Sequence, residues 1–114
     1  MWEYERRHTP RYPFDATAEI LDEQEDSRTS CQVRDLSVGG CYVETDDPLP
    51  LGRDIRIEIY SGAEFLESRA TVAFFEPKQG MGLSFSIMQP HFTSVLSKWL
   101  KRAEALAEPG QPEG

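Results

Sequence analysis

Polar and apolar residues alternate with period two along most of this chain, then switch to a helical period near its end. The clearest run is "RDIRIEIY". Ile55, Ile57 and Ile59 point one way and Arg56 and Glu58 the other, which marks a strand buried on one face. "FDATAEILD" carries Phe14, Thr17 or Ala18, and Ile20 on its apolar side, with Asp22 closing the run. "RTSCQVRDL" puts Cys31 and Val33 on one face, beside β-branched Thr29. "CYVET" reads as a short strand and "FLESRATVAFFE" as a long one. "MGLSFSIM" reads as the last strand, with Met81, Leu83, Phe85 and Ile87 on one face. Turn chemistry separates these runs: the charged "EQEDS", the glycine turn "SVGG", the proline-rich "DDPLPLG", then "SGAE" and "PKQG". After Gln89-Pro90 apolar residues recur at three and four: Phe92, Val95, Leu96, Trp99, Leu100, Ala103 and Leu106. Lys98, Lys101 and Arg102 fall off that stripe, so the spacing predicts one amphipathic helix. Pro90 suits its first turn, and "EPGQPEG" ends it in a frayed tail.

Strands joined by turns, followed by one helix, exclude a βαβ architecture. The expected fold class is all-β with one C-terminal helix. A six-stranded antiparallel barrel or sandwich, with the helix on one opening or face, buries the single apolar faces and hides the strand edges. The expected organisation is an irregular arm over 1–12, barrel strands within 13–88, the helix within 89–108 and a tail over 109–114. The helical stripe reads as core or lid; an exposed patch along Trp99 and Leu106 would instead make a dimer face.

The 114 residues suffice for one domain, and a composition 39% hydrophobic and 28% charged is that of a globular protein and not of a disordered one. No apolar run nears the ~18 residues of a membrane span, so no membrane insertion is expected. "MWEYERRHTP" lacks the apolar core of a secretory signal, which makes the cytoplasm the expected location. In that compartment Cys31 and Cys41 read as free, half-buried thiols, with a hairpin disulfide as the weaker alternative. His8 and His91 stand far apart and match no metal-ligand spacing, so neither a metal nor a resident cofactor is expected. A formal net charge of -8 argues against nucleic acid as a general partner, since duplex binding needs a basic face.

One segment runs against that charge. "ERRHTPRYPF" gathers Arg6, Arg7, His8 and Arg11, and its prolines hold Thr9 and Tyr12 extended, so the arginines do not ride a helix. A second cluster is "DLSVGG", Asp35-x-Ser37-x-x-Gly40. Taken singly, the first reads as a solvated arm. The second reads as a turn in which Asp and Ser bond their own backbone and glycine supplies positive φ. Their order is more specific. An Arg7-x-x-x-Arg11 arm leads into the first strand, and Asp-x-Ser-x-x-Gly sits where the second strand turns into the third. The chain thereby resembles the PilZ domain, the bacterial receptor domain for cyclic di-GMP. "GLSF", Gly82 to Phe85, resembles the family's glycine-hydrophobic-x-phenylalanine step in the last strand. The resemblance covers residues 5–108 and implies a six-stranded antiparallel β-barrel.

By motif position the resemblance implies that Arg7 and Arg11 hold phosphate and guanine, with Asp35, Ser37 and Gly40 forming the barrel-side half of the site. It also implies that Arg6, directly before the motif, goes with two mutually intercalated ligand molecules. The residue types suit a ligand with two phosphodiesters and two guanines. A guanidinium grips a phosphate, or the O6/N7 edge of guanine, through two N–H donors, and its plane stacks on a base. Asp35 offers acceptors to guanine's N1–H and N2–H2, Ser37 donates or accepts, and Gly39 and Gly40 omit a Cβ where a ligand approaches. At about 1.5–3 kcal/mol net per charge-assisted bond, several such bonds reach micromolar affinity, about -8 kcal/mol. The implied mechanism is a switch: the arm stays off the barrel until ligand folds it toward Asp35 and Ser37, and the new surface, with Trp2 and Tyr4 carried on it, engages a downstream protein partner. An enzyme built from Ser37 or a cysteine with His8 or His91 is disfavoured, because no nucleophile-elbow pattern surrounds Ser37. A PilZ-fold interaction module that binds no nucleotide is the alternative.

Overall fold

A computed structural model of the chain describes residues 10–107. Trp2, Tyr4, Arg6, Arg7 and His8, and the tail expected over 109–114, lie outside the described residues. The strands are β1 (Tyr12–Asp22), β2 (Ser27–Leu36), β3 (Gly40–Glu44), β4 (Asp54–Ser61), β5 (Glu64–Glu76) and β6 (Gly80–Ile87), followed by helix α1 (Pro90–Ala107). They close into a barrel in the order β1-β2-β3-β6-β5-β4, with antiparallel neighbours throughout. Closure comes from β1 pairing with β4, where Ala18 faces Ile59 and Ile20 faces Ile57. Between the two architectures the sequence left open, the barrel is the one formed, and it leaves no strand edge unpaired.

The interior follows the period-two pattern. Ile55, Ile57 and Ile59 are all buried, and on β1 the inward set is Ala16, Ala18 and Ile20, so Ala18 and not Thr17 takes the core position. Asp22 ends that row inside the barrel. Its carboxylate accepts a hydrogen bond from Arg53, which lets a carboxyl sit fully buried. Cys31 and Cys41 are free thiols and both are buried, more deeply than expected; burial pushes the Cys41 thiol up to about 12 and raises that of Cys31, so neither is a ready nucleophile.

Four one-residue slips interrupt the ladder, the first in β1 between the pairs Pro13–Asp35 and Ala16–Val33. Arg34 is extra between the pairs Val33–Val43 and Asp35–Tyr42, Ala73 between Val72–Leu83 and Phe74–Gly82, and Ser86 between Ala70–Phe85 and Arg69–Ile87. Each bulge shifts the strand's phase by one residue. This corrects one expectation: Ile87 does not join Met81, Leu83 and Phe85 on the inner face but is 67% exposed, because the bulge at Ser86 turns it outward.

Helix α1 packs on β1 and β5, with Leu96, Trp99 and Ala103 buried and Phe92, Val95 and Leu100 packed against the core. The Trp99 ring stacks on Phe14 at 5.3 Å between centroids. Leu106, placed on the same stripe by its spacing, is 76% exposed and borders an open groove beside Pro13 and Phe14. One carboxylate anchors the helix: Glu64 accepts from Trp99 Nε1 at 3.1 Å, from Arg102 at 3.3 Å and from Lys98 Nζ. Those bonds, Lys98's first, hold the Glu64 carboxyl down to about 2.

Trp99→Ala should cost about 3–5 kcal/mol in urea unfolding, since it removes the largest buried side chain under the helix. Because Glu64's carboxyl falls from 4.5 to about 2 on folding, its contribution is complete above about pH 4.5 and vanishes as pH drops toward 2. Urea midpoints measured across that window should fall more steeply for the native protein than for Glu64→Gln; parallel falls would show that the anchor is not electrostatic.

Candidate ligand-binding site

The arm motif and the turn motif meet at one corner of the barrel. Strict alternation from Val33 would send Arg34 out, Asp35 in and Leu36 out. The bulge at Arg34 reverses this: Leu36 is fully buried and Asp35 is turned outward, its side chain 25% exposed. In the antiparallel register Tyr12 faces Leu36 and Pro13 faces Asp35, which sets Arg11, the residue before β1, beside Asp35. The Arg11 guanidinium donates to Asp35 Oδ1 in a part-buried ion pair. This corrects the expectation that Arg11 stays off the barrel until a ligand arrives; the β1–β2 register brings it to a carboxylate. Arg6 and Arg7, the other arginines of the motif, are outside the described residues.

The turn after Leu36 is held by Ser37, which is buried. Ser37 Oγ accepts from the N–H groups of Gly39 and Gly40, both at 3.2 Å, and donates to the Gly40 carbonyl at 3.3 Å, while Ser37 N donates to the same carbonyl at 2.8 Å. The hydroxyl is therefore occupied by the turn's own backbone. Gly40 has an internal reason to lack a side chain: a Cβ there would overlap the carbonyl oxygen of Leu83 on β6. Phe85, from the "GLSF" step, donates its N–H to the Gly39 carbonyl at 2.8 Å and pins the turn from the other side. Val38 at the tip is 64% exposed and faces α1 across a groove of about 370 Å3 that Pro10, Tyr12, Leu96 and Leu100 also line.

Four residues not singled out from the sequence, Arg34, Tyr42, Phe74 and Glu76, complete the corner. A cleft of about 170 Å3 is lined by Arg11, Arg34, Asp35, Tyr42, Phe74 and Glu76. Tyr42 points outward from β3, yet it is buried under Arg34, whose guanidinium lies 4.4 Å from the ring centroid, and against Phe74, 5.9 Å away. Phe74 is outside the barrel because of the bulge at Ala73, and its ring fills the space where Gly82 has no side chain. The Tyr42 hydroxyl donates to Glu76 Oε1; burial first, and that bond second, push its pKa up to about 12, so it stays a donor at neutral pH. The alternation of "RTSCQVRDL" and "FLESRATVAFFE" gave no sign of the bulges that assemble this cleft.

Among the described residues, the Ser37 hydroxyl bonds only backbone, and no helix is long and apolar enough to cross a membrane. The fold is a closed six-stranded antiparallel barrel with one helix packed on it. The chain belongs to the PilZ domain family, whose model matches residues 5–102. No curated protein sequence matches it. Among solved structures, the PilZ domain of YcgR from Escherichia coli, determined with c-di-GMP, is 18% identical with a TM-score of 0.76, the match covering 96% of this chain and 99% of that one. The inhibitor of motility MotI/DgrA of Bacillus subtilis is 22% identical with a TM-score of 0.72, over 90% of this chain and 53% of that one. PlzA of Borreliella burgdorferi, in complex with c-di-GMP, is 12% identical with a TM-score of 0.61, over 86% of this chain and 42% of that one. The chain thus spans about half of MotI and less of PlzA, and at these identities the likeness is one of fold.

Gly40→Ala should lower the urea midpoint more than Ser37→Ala. The first forces β3 away from the Leu83 backbone, whereas the second leaves two N–H groups short of an acceptor, at about 1–3 kcal/mol. The reverse order would mean that the turn relaxes around a Cβ at 40.

Proposed function

We propose that the protein is a cytoplasmic cyclic di-GMP receptor that acts as a switch, without catalysis, and signals through a protein partner. The observation that carries this reading is the Arg11–Asp35 ion pair, which joins the end of the arginine arm to the Asp-x-Ser-x-x-Gly turn. Membership of the PilZ family, and a fold shared with YcgR and PlzA domains determined with c-di-GMP, support it. In this reading Arg7 and Arg11 take phosphate and guanine, and Asp35 both orients Arg11 and accepts from the ligand. Ser37, Gly39 and Gly40 shape the turn that the ligand lies against. Arg6 supplies the guanidinium for a second, intercalated ligand molecule. Because Arg11 is held by Asp35, the ligand-driven change is assigned to Arg6 and Arg7 closing onto the turn, and it reaches the partner through the arm and the adjoining face of α1. The negative charge elsewhere on the chain leaves this corner as the place that attracts a dianion.

Isothermal titration with cyclic di-GMP tests the reading. The native protein should bind at micromolar Kd and saturate at about two ligands per chain, and Arg6→Ala should bring that to about one. Arg7→Ala and Asp35→Ala should each weaken binding at least about tenfold. Absence of binding by the native protein would favour an interaction module, and turnover of the nucleotide would favour an enzyme.

A further inference from the structure

We infer that the cleft beside the Arg11–Asp35 pair seats one guanine base and that Glu76 on β5 reads it. The inference rests on the cyclic di-GMP reading and assigns a specificity role to residues outside both ligand motifs. At about 170 Å3 the cleft is smaller than a drug-sized pocket, with room for one ring system and not for a dinucleotide. It opens on the corner where Arg11 and Asp35 meet, so a base placed in it leaves its phosphates toward the Arg11 side.

Two features match a guanine. The first is Arg34. The bulge holds it on the outer face, one side of its guanidinium lies over the Tyr42 ring, and its side chain is 54% exposed. A guanidinium supported from beneath by an aromatic ring is a flat, pre-oriented platform on which a purine stacks. The second is Glu76. Its Oε1 accepts the Tyr42 hydroxyl, which fixes the carboxylate, while Oε2 has no hydrogen-bond partner among the described residues. A fixed carboxylate is acceptor-only, and guanine's Watson–Crick edge offers two adjacent donors, N1–H and N2–H2. Adenine presents a donor beside an acceptor there and leaves one carboxylate oxygen facing a lone pair. Asp35 is engaged by Arg11, so Glu76 is the carboxylate of the cleft whose geometry is set by a neutral donor instead of a cation.

The test is titration of native protein, Glu76→Gln and Arg34→Ala with cyclic di-GMP, with cyclic di-IMP, whose hypoxanthines lack the N2 amine, and with cyclic di-AMP. Native protein should prefer cyclic di-GMP to cyclic di-IMP by about tenfold or more and bind cyclic di-AMP weakest. Glu76→Gln should lose about 10–100-fold for cyclic di-GMP and much less for cyclic di-IMP, so that the preference between them collapses. Arg34→Ala should weaken both guanine and hypoxanthine ligands by about tenfold and leave their ratio unchanged. Glu76→Asp, which withdraws the same carboxylate by one methylene, gives the same readout if Glu76→Gln lowers the melting temperature. Native binding together with Glu76 variants that keep both affinity and preference overturns the Glu76 assignment alone. Failure of the native protein to bind cyclic di-GMP overturns the receptor reading instead.

Discussion

One extra residue in β2 decides what this barrel presents to solvent. Side chains of a strand alternate between faces, so a strand that buries Val33 must expose its next residue and bury Asp35. The bulge at Arg34 breaks that rule at the cost of one unpaired position, and Leu36 enters the core while Arg34 and Asp35 are both presented outside. A carboxylate left inside without a cation would have been strongly unfavourable, as the arrangement at Asp22 shows by contrast, where Arg53 accompanies it. Outside, Asp35 meets Arg11 because the β1 register ends there. The bulges at Ala73 and Ser86 repeat the device: the first brings Phe74 out over Gly82, and the second releases Ile87 from the core. A barrel strand must bend to close, and the bend is made where a side chain also has to be re-aimed.

The corner that results is rigid by construction. Ser37 clasps the turn through both glycine N–H groups, β6 approaches Gly40 too closely for any other residue, and Phe85 ties the Gly39 carbonyl to the last strand. The residues that look like ligand contacts in a linear reading therefore divide their work. Ser37 and Gly40 shape the backbone, and Arg11, Asp35, Arg34 and Glu76 carry the exposed polar groups. Such a division suits a receptor, whose affinity depends on groups ordered before the ligand arrives. The helix is tied to the same body by Trp99 in the core and by three donors converging on Glu64, and it faces the turn across the Val38 groove.

Much of the fold was legible in the linear pattern. Ile55, Ile57 and Ile59 declared β4, the three-and-four spacing from Phe92 to Ala103 declared the helix, and turn residues placed the connections within a residue or two. The candidate site was legible only as two short motifs. Arg34, Tyr42 and Glu76 gave no signal, because a bulged arginine, an outward tyrosine and a strand-end glutamate each look like ordinary surface chemistry. Leu106 erred the other way: its spacing was right, but it stands exposed at the rim of an open groove beside Pro13 and Phe14.

Sequence by itself determined the elements, their order and the two short motifs, since period, turn chemistry and motif spacing are local properties. The tertiary structure alone decided which face each residue took after a bulge, that Arg11 lies on Asp35, that the Ser37 hydroxyl is spent on its own turn, and that a tyrosine, an arginine and a glutamate from three strands share one cleft. Those are consequences of strand register and barrel closure. Register is set by the summed packing of all six strands, which no single stretch of the chain contains.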